Sequence, residues 1–449
     1  MKRFLSVILA ASLVLSLTGC GENTSSTSSD NGSSVSSDNN SVADNSSQTD
    51  STPAADESSQ PEESKPVEEI PYELGGDLTP TMIANSVLNK GDQTRLAKVI
   101  KKLQAGEEVT IAYLGGSITQ GSSAGNELCY ARLTTDWFEQ NFPSAKINYV
   151  NAGIGATGSY IGVHRCDSQV LAHDPDLVFI DFSVNDTADR ISTNKSTYES
   201  LLRKIWKHDS TPAIVTIAMT QEDGTSVQDA HYEIAAKYNI PMISYRNAIL
   251  DVIDKGYIIW DDISDDNIHP NIPGHAVLTK MITNYIQTVA DNVDSIDTSA
   301  DPELPATGED GMKFENAQIV LSDSDICKST GLFEVKANYN FGGFNEPWIA
   351  KVKAGSTIDP EKDALVFEVE AQNIGILFGK TTSASGLLDV YVDDKLVKTI
   401  NTDFSGGWGN YAEFAEISSF MFAEKHTIKI LPRESENAAG YYVSAIMIS

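Results

Sequence analysis

Two residues late in the chain, in Asp266-Asn267-Ile268-His269-Pro270, have the spacing of a catalytic couple. A carboxylate three residues before an imidazole can accept its Nδ1–H, which leaves Nε2 free to take a proton from a hydroxyl. A suitable hydroxyl stands far upstream, in Leu114-Gly115-Gly116-Ser117-Ile118-Thr119-Gln120-Gly121. A serine behind two glycines at the end of an apolar run can sit on a tight turn with Oγ exposed. Ser117 would then be the nucleophile at an acyl carbonyl, His269 its general base and Asp266 the group that fixes the imidazole tautomer. The oxyanion formed on the way needs donors aimed at it. Besides the Ser117 N–H, two segments offer them. One is Asn151-Ala152-Gly153-Ile154-Gly155-Ala156-Thr157-Gly158, through the backbone N–H of Gly155 or Ala156. The other is Phe182-Ser183-Val184-Asn185-Asp186, through the Asn185 side-chain amide.

Each motif alone has a plainer reading. Gly115-Gly116 also suits an ordinary strand–turn–helix connection, Asn185-Asp186 a turn, and Asp261 to Asp266 a solvated acidic loop. Gly153, Gly155 and Gly158 fit the dinucleotide pattern, and Asp181 lies near the distance of a ribose-binding carboxylate. That pattern follows the second strand rather than the first, and an exported protein meets no nicotinamide pool. The acidic spacing does not match a calcium loop. No cofactor and no metal are therefore expected. His164, His173, His208, His231 and His426 lack partners in sequence and read as structural, with His275 in a supporting role behind the site.

The elements must bring these motifs together. Helices are expected over 95–104, 130–142, 159–172, 198–207, 226–238 and 274–293. Strands are expected over 109–114, 147–150, 177–182, 213–218 and 241–245. Near-continuous apolar strands alternating with helices predict a parallel α/β sheet covered on both faces, flavodoxin-like. Sites in such sheets lie beyond the carboxyl ends of the strands, which is where the serine, glycine and asparagine motifs fall. From about Lys313 short alternating runs punctuated by Gly, Asp and Asn predict an all-β sandwich, jelly-roll-like, with expected surface aromatics Trp348, Trp408 and Tyr411.

The chain has 449 residues, formal charge −31 and a pI near 4.4, which disfavours nucleic acid as a partner. Lys2 and Arg3 precede an apolar run, Phe4–Leu17, too short to span a bilayer comfortably. Its end, Leu17-Thr18-Gly19-Cys20, resembles a bacterial lipobox, which implies cleavage before Cys20 and a lipid anchor on its sulfur. Residues 20–75 are Ser-, Asn-, Asp- and Glu-rich and read as a disordered tether. The expected organisation is a lipoprotein signal peptide over 1–19, the tether over 20–75, the α/β domain over 76–297, a linker over 298–312 and the β-sandwich over 313–449. With Cys20 lipidated, Cys129, Cys166 and Cys327 remain, and a Cys129–Cys166 pair is left open.

Four motifs in this order resemble the SGNH hydrolases, the GDSL-like esterase superfamily, over about residues 92–297. Ser117 matches the first block, Asn185 the third, and Asp266 with His269 the last. The usual oxyanion glycine of the second block falls on Ala156, with Gly155 just before it. Since a backbone N–H is what serves, alanine could supply it, and the donor stays open between Gly155 and Ala156. The resemblance implies a serine esterase. Export, the tether and the added β region point to an O-deacylase of acylated polysaccharide at the extracellular face of the bacterial cytoplasmic membrane. Two alternatives stay open: a lipase-like or aryl esterase, and a non-catalytic glycan-binding lipoprotein.

Overall fold

A computed structural model describes residues 70–383, 386–435 and 440–449. The expected signal peptide, Cys20 and the tether up to residue 69 lie outside the described residues. The first sheet has six strands: β1 (Val87–Asn89), β2 (Glu108–Gly115), β3 (Lys146–Gly153), β4 (Leu177–Asp181), β5 (Ala213–Ala218) and β6 (Met242–Ser244). Their spatial order is β1-β6-β5-β4-β2-β3. β2 to β6 are parallel, and β1 adds an antiparallel edge. Set aside that edge, and the order is the flavodoxin-like one expected from sequence. β4 and β5 are buried at every position, as their unbroken apolar runs require.

The helices are α1 (Pro80–Ser86), α2 (Thr94–Gln104), α3 (Ser117–Gln120), α4 (Tyr130–Asn141), α5 (Ser159–Gln169), α6 (Ile191–Trp206), α7 (Gln228–Lys237), α8 (Tyr245–Asp254), α9 (Ile272–Asp291) and α10 (Glu309–Met312). One face of the sheet is closed by α2, α4, α8 and α9 through residues such as Ile100, Phe138, Ile249 and Leu278. The other is closed by α5, α6 and α7 through Ile161, Leu201 and Ile234. Burying each such side chain stabilises the fold by about 1.5–3 kcal/mol. The chain reverses its winding at β2 and β4, with β3 on one side and β5 on the other. The crevice at the carboxyl ends of that pair is where such sheets bind ligands.

The second region is antiparallel, with strands β7 (Gln318–Val320), β8 (Cys327–Ser329), β9 (Phe333–Val335), β10 (Asn340–Phe341), β11 (Phe344–Asn345), β12 (Trp348–Ala350), β13 (Leu365–Lys380), β14 (Leu387–Val392), β15 (Lys395–Asn401), β16 (Tyr411–Pro432) and β17 (Tyr441–Ile448). Its main sheet runs β15-β14-β16-β13-β17-β12-β9, while β10 and β11 form a hairpin. Trp348 corrects an expectation. It was read as a surface aromatic, yet it is 1% exposed and packs edge-on against Phe367 in the β core.

The two regions share a core. Phe344, Leu377, Ala412 and Met447 of the β region join the cluster on the α5–α7 face. Tyr160 of α5 stacks on Phe414 at 4.2 Å between centroids. Arg190 lies over the same Phe414 ring and reaches Glu413 at 3.2 Å. Residues 298–312, expected as a linker, are tied down to the α/β layer. Arg203 Nη1 donates to the Pro305 carbonyl, and Ser200 Oγ to the Gly311 carbonyl.

Candidate active site

Ser117 is the first residue of α3, directly beyond β2, and is 9% exposed. Two glycines let that turn form. A Cβ on Gly116 would meet Asn185 Oδ1 at 2.0 Å, and one on Gly153 would meet the Gln120 N at 2.2 Å. The turn after β2, the end of β3 and the asparagine after β4 are therefore pressed together with no room for side chains between them.

His269 comes from the loop before α9, whose start is fixed by Pro273 and by Asn271 Oδ1 accepting the Gly274 N–H. The loop folds on its own polar groups. Ser264 Oγ donates to the carbonyls of Asp266 and His269, and Trp260 Nε1 donates to that of Asp266. Asp266 Oδ1 accepts the N–H groups of Ile268 and His269, both at 2.7 Å. Its Oδ2 lies 2.7 Å from His269 Nδ1, and His269 Nε2 lies 2.8 Å from Ser117 Oγ. Burial pushes the Asp266 carboxyl up, but the bonds from His269 and Ile268 outweigh it and hold the carboxyl below its usual value. Asp266 is thus ionised at neutral pH and orders the imidazole with Nδ1 protonated, leaving Nε2 to accept from Ser117.

The expected oxyanion donors surround Ser117. Asn185 lies against Gly116, on the turn after β4, and lines the same cleft as Ser117. The Ser117 N–H opens the α3 turn, where helices leave donors without intrahelical acceptors. Gly155 and Ala156 differ. The Gly155 N–H donates to Gln120 Oε1 at 2.9 Å, whereas the Ala156 N–H has no acceptor among the described residues. Ala156 holds φ at +59°, the left-handed region usually left to glycine.

The structure places the other singled-out residues outside this constellation. Gly153 and Gly158 fit closely against Gln120 and Asp186, and Asp186 Oδ1 accepts the Ser159 N–H at the start of α5. Asp181 is buried, with burial raising its carboxyl to about 7 despite bonds from Ser183. His275 is fully buried, and its Nδ1 accepts the Tyr130 N–H. His231 does have a partner, unseen in sequence because it is distant: Asp186 Oδ2 at 3.0 Å. His426 likewise meets Asp393 Oδ2 at 2.8 Å. Cys129, Cys166 and Cys327 are free thiols, so Cys129 and Cys166 are not paired.

Sequence reasoning named Trp408 and Tyr411 as surface aromatics but did not place them, or Asn340 and Asn410, at the far wall of the site. Ser117, Asn185 and His269 open into a cavity of about 700 Å³ that is also lined by Asn340, Trp408, Asn410 and Tyr411 of the β region. Trp408 is 72% exposed and stacks on Tyr411, with centroids 5.0 Å apart. Gly343, at φ +93°, presses on Ile154, the residue that opens the loop carrying Gly155 and Ala156. The glycines flanking Trp408 were the available signal, since they mark an exposed loop tip, but nothing in sequence says which surface that tip faces.

A serine, an imidazole and a carboxylate linked in series at the switch point of a flavodoxin-like sheet define a hydrolase of the SGNH class. The GDSL-like Lipase/Acylhydrolase family model matches residues 113–277. A two-domain esterase active on acetylated mannans, solved with mannopentaose, is 30% identical with a TM-score of 0.71. The match covers 82% of this chain and 97% of that one. The same esterase in a second structure gives 0.72 over 98% of that chain. Thioesterase 1/protease 1/lysophospholipase L1 of Escherichia coli (strain K12) is 19% identical over 200 residues, 43% of this chain and 91% of that protein. The chain belongs to the GDSL-like, or SGNH, hydrolase superfamily and is a carboxylic ester hydrolase.

Proposed function

We propose that this hydrolase is a cell-surface carbohydrate esterase that removes O-acetyl groups from polysaccharide by a Ser-His-Asp mechanism. The observation that carries the reading is the shared cleft. The reacting serine faces exposed aromatic rings and amides of the β region, chemistry suited to sugar faces and hydroxyls rather than to acyl chains. The two-domain esterase active on acetylated mannans, matched over nearly its whole length, supports the same substrate class.

In this reading Ser117 Oγ attacks the acetyl carbonyl while His269 Nε2 takes its proton. Asp266 holds the Nδ1–H tautomer and stabilises the imidazolium. The oxyanion is met by the N–H groups of Ser117 and Ala156 and by Asn185 Nδ2, the Gly155 N–H being already committed to Gln120. The imidazolium then protonates the departing sugar oxygen, and water releases acetate by the same route in reverse. The expected lipid anchor at Cys20 would hold this head at the extracellular face of the membrane. Labelled palmitate in the wild type but not in a Cys20→Ala variant tests that anchor.

Acetate release from acetylated mannan, xylan and peptidoglycan, measured beside 4-nitrophenyl acetate hydrolysis, tests the substrate class. Release from at least one polysaccharide is expected. Aryl-ester turnover with no acetate from any of them would leave an aryl or lipase-like esterase instead. Trp408→Ala should raise KM for polysaccharide about tenfold and leave KM for the aryl ester unchanged.

A further inference from the structure

Arg165 of α5 is fully buried beneath this site. Its Nη2 donates to the Gly115 carbonyl at 2.8 Å and to Thr157 Oγ1 at 3.2 Å. Its Nη1 donates to the Ala152 carbonyl at 2.5 Å and to Gln169 Oε1 at 2.7 Å. Every one of these acceptors is a neutral oxygen, and Nε has no partner. Burial pushes the guanidinium down to about 9, which still leaves it cationic at neutral pH. A buried charge without a counter-charge is costly to keep, so its position calls for a reason.

The acceptors supply one. Gly115 ends β2 two residues before Ser117, Ala152 sits near the end of β3, and Thr157 follows Ala156. Gly115 O also accepts the Ile154 N–H at 3.1 Å. One planar fork therefore ties the nucleophile turn to the loop that carries the Ala156 N–H.

We propose that Arg165 is a positioning residue for the oxyanion site: it keeps the Ser117 and Ala156 turns in register and lends a positive field to the anionic tetrahedral intermediate. The inference rests on Ser117 being the nucleophile. A field that acts on the anion and not on the neutral ester lowers kcat and leaves KM alone when removed.

The test uses Arg165→Gln, Arg165→Lys and Gln169→Glu. The last keeps an oxygen beside Nη1, makes no cavity and sets a negative charge against the guanidinium. Readouts are kcat and KM for 4-nitrophenyl acetate, and affinity for an aryl boronic acid, which becomes an anionic tetrahedral adduct on a serine. Arg165→Gln should lower kcat about a hundredfold and Gln169→Glu about three- to tenfold, with KM within about twofold. Boronate affinity should fall in parallel, and Arg165→Lys should recover part of the loss. Should Arg165→Gln fail to fold, Gln169→Glu carries the test alone. Wild-type kcat and boronate affinity in Gln169→Glu, or losses confined to KM, overturn the proposal. Ser117→Ala is run alongside: full aryl-ester turnover there would unseat the nucleophile reading, whereas an inactive Ser117→Ala with an unaffected Gln169→Glu sinks only the role of Arg165.

Discussion

Asparagine at position 266 would change one atom and should nearly abolish turnover. Asp266 uses both oxygens as acceptors, Oδ1 for the N–H groups of Ile268 and His269 and Oδ2 for His269 Nδ1–H. An asparagine has one acceptor to offer. With its oxygen toward the two backbone donors, its NH2 faces Nδ1. The imidazole then does best with its proton on Nε2, which points at Ser117 Oγ and can no longer accept from it. With the amide flipped, the NH2 collides with two backbone donors. The pair is partly exposed, so its Coulomb attraction is screened and worth only about 1 kcal/mol, a fivefold effect. The wrong tautomer costs far more, on the order of 10⁴ in kcat, or about 5 kcal/mol. Asp266→Ala imposes no tautomer and should retain more activity than Asp266→Asn. Initial rates on 4-nitrophenyl acetate, with circular dichroism to confirm folding, decide it. An Asp266→Asn enzyme within tenfold of wild type, or more active than Asp266→Ala, would refute this reasoning.

Other expectations follow from single contacts. Asn185→Ala should lower kcat about 10²- to 10³-fold, measured on the same ester. Gly116→Ala should lose a similar amount, because its Cβ would meet Asn185 Oδ1 at 2.0 Å and displace the amide. The double variant should be no worse than either alone, and additive losses would contradict a shared cause. Ala156→Gly keeps the backbone N–H and relieves a left-handed alanine, so kcat should stay within about threefold of wild type. A collapse in rate there would show that the Ala156 methyl, not its N–H, matters.

Stability should rise with pH between about 4 and 6.5. Burial holds His164 and His275 down to about 4, against roughly 6.5 in an unfolded chain. The unfolded chain therefore takes up two protons that the folded one refuses, and this stability is lost as pH falls. Asp181 opposes them. Raised to about 7, it keeps a proton in the folded state that the unfolded chain has lost above roughly pH 4, so its contribution is lost as pH rises. The balance is one proton, or roughly 1 kcal/mol per pH unit. Asp181→Asn should about double that slope in urea unfolding at pH 4.5–6.5, and an unchanged slope would contradict the assignment.

The parallel sheet was legible because its strands are buried on both sides and read as unbroken apolar runs. The serine and asparagine motifs then announce themselves as polar residues where those runs stop. α1 and β1 are too short to carry a period, and α8 begins directly after β6, whose last residue, Ser244, is its cap. β13 runs as one long strand through register shifts around Gln372 and Asn373, which only its paired neighbour reveals. The extent of β16 is not legible, because its exposed stretch Met421–Lys425 loses the alternation of inward and outward residues. The site was legible where chemistry is local, as in Asp266 and His269. It was not where partners come from afar. The Gln120 side chain on the Gly155 N–H, the Arg165 fork beneath the loop and the Trp408 loop over the cleft are set by tertiary packing alone.

The nucleophile can be identified by labelling the wild-type protein with a serine-reactive fluorophosphonate and locating the adduct by peptide mass spectrometry. One phosphonyl group on the peptide carrying Ser117, formed as esterase activity disappears and absent from Ser117→Ala, is the expected result. An adduct on another residue that tracks the loss of activity, or a fully active enzyme already modified at Ser117, would contradict it.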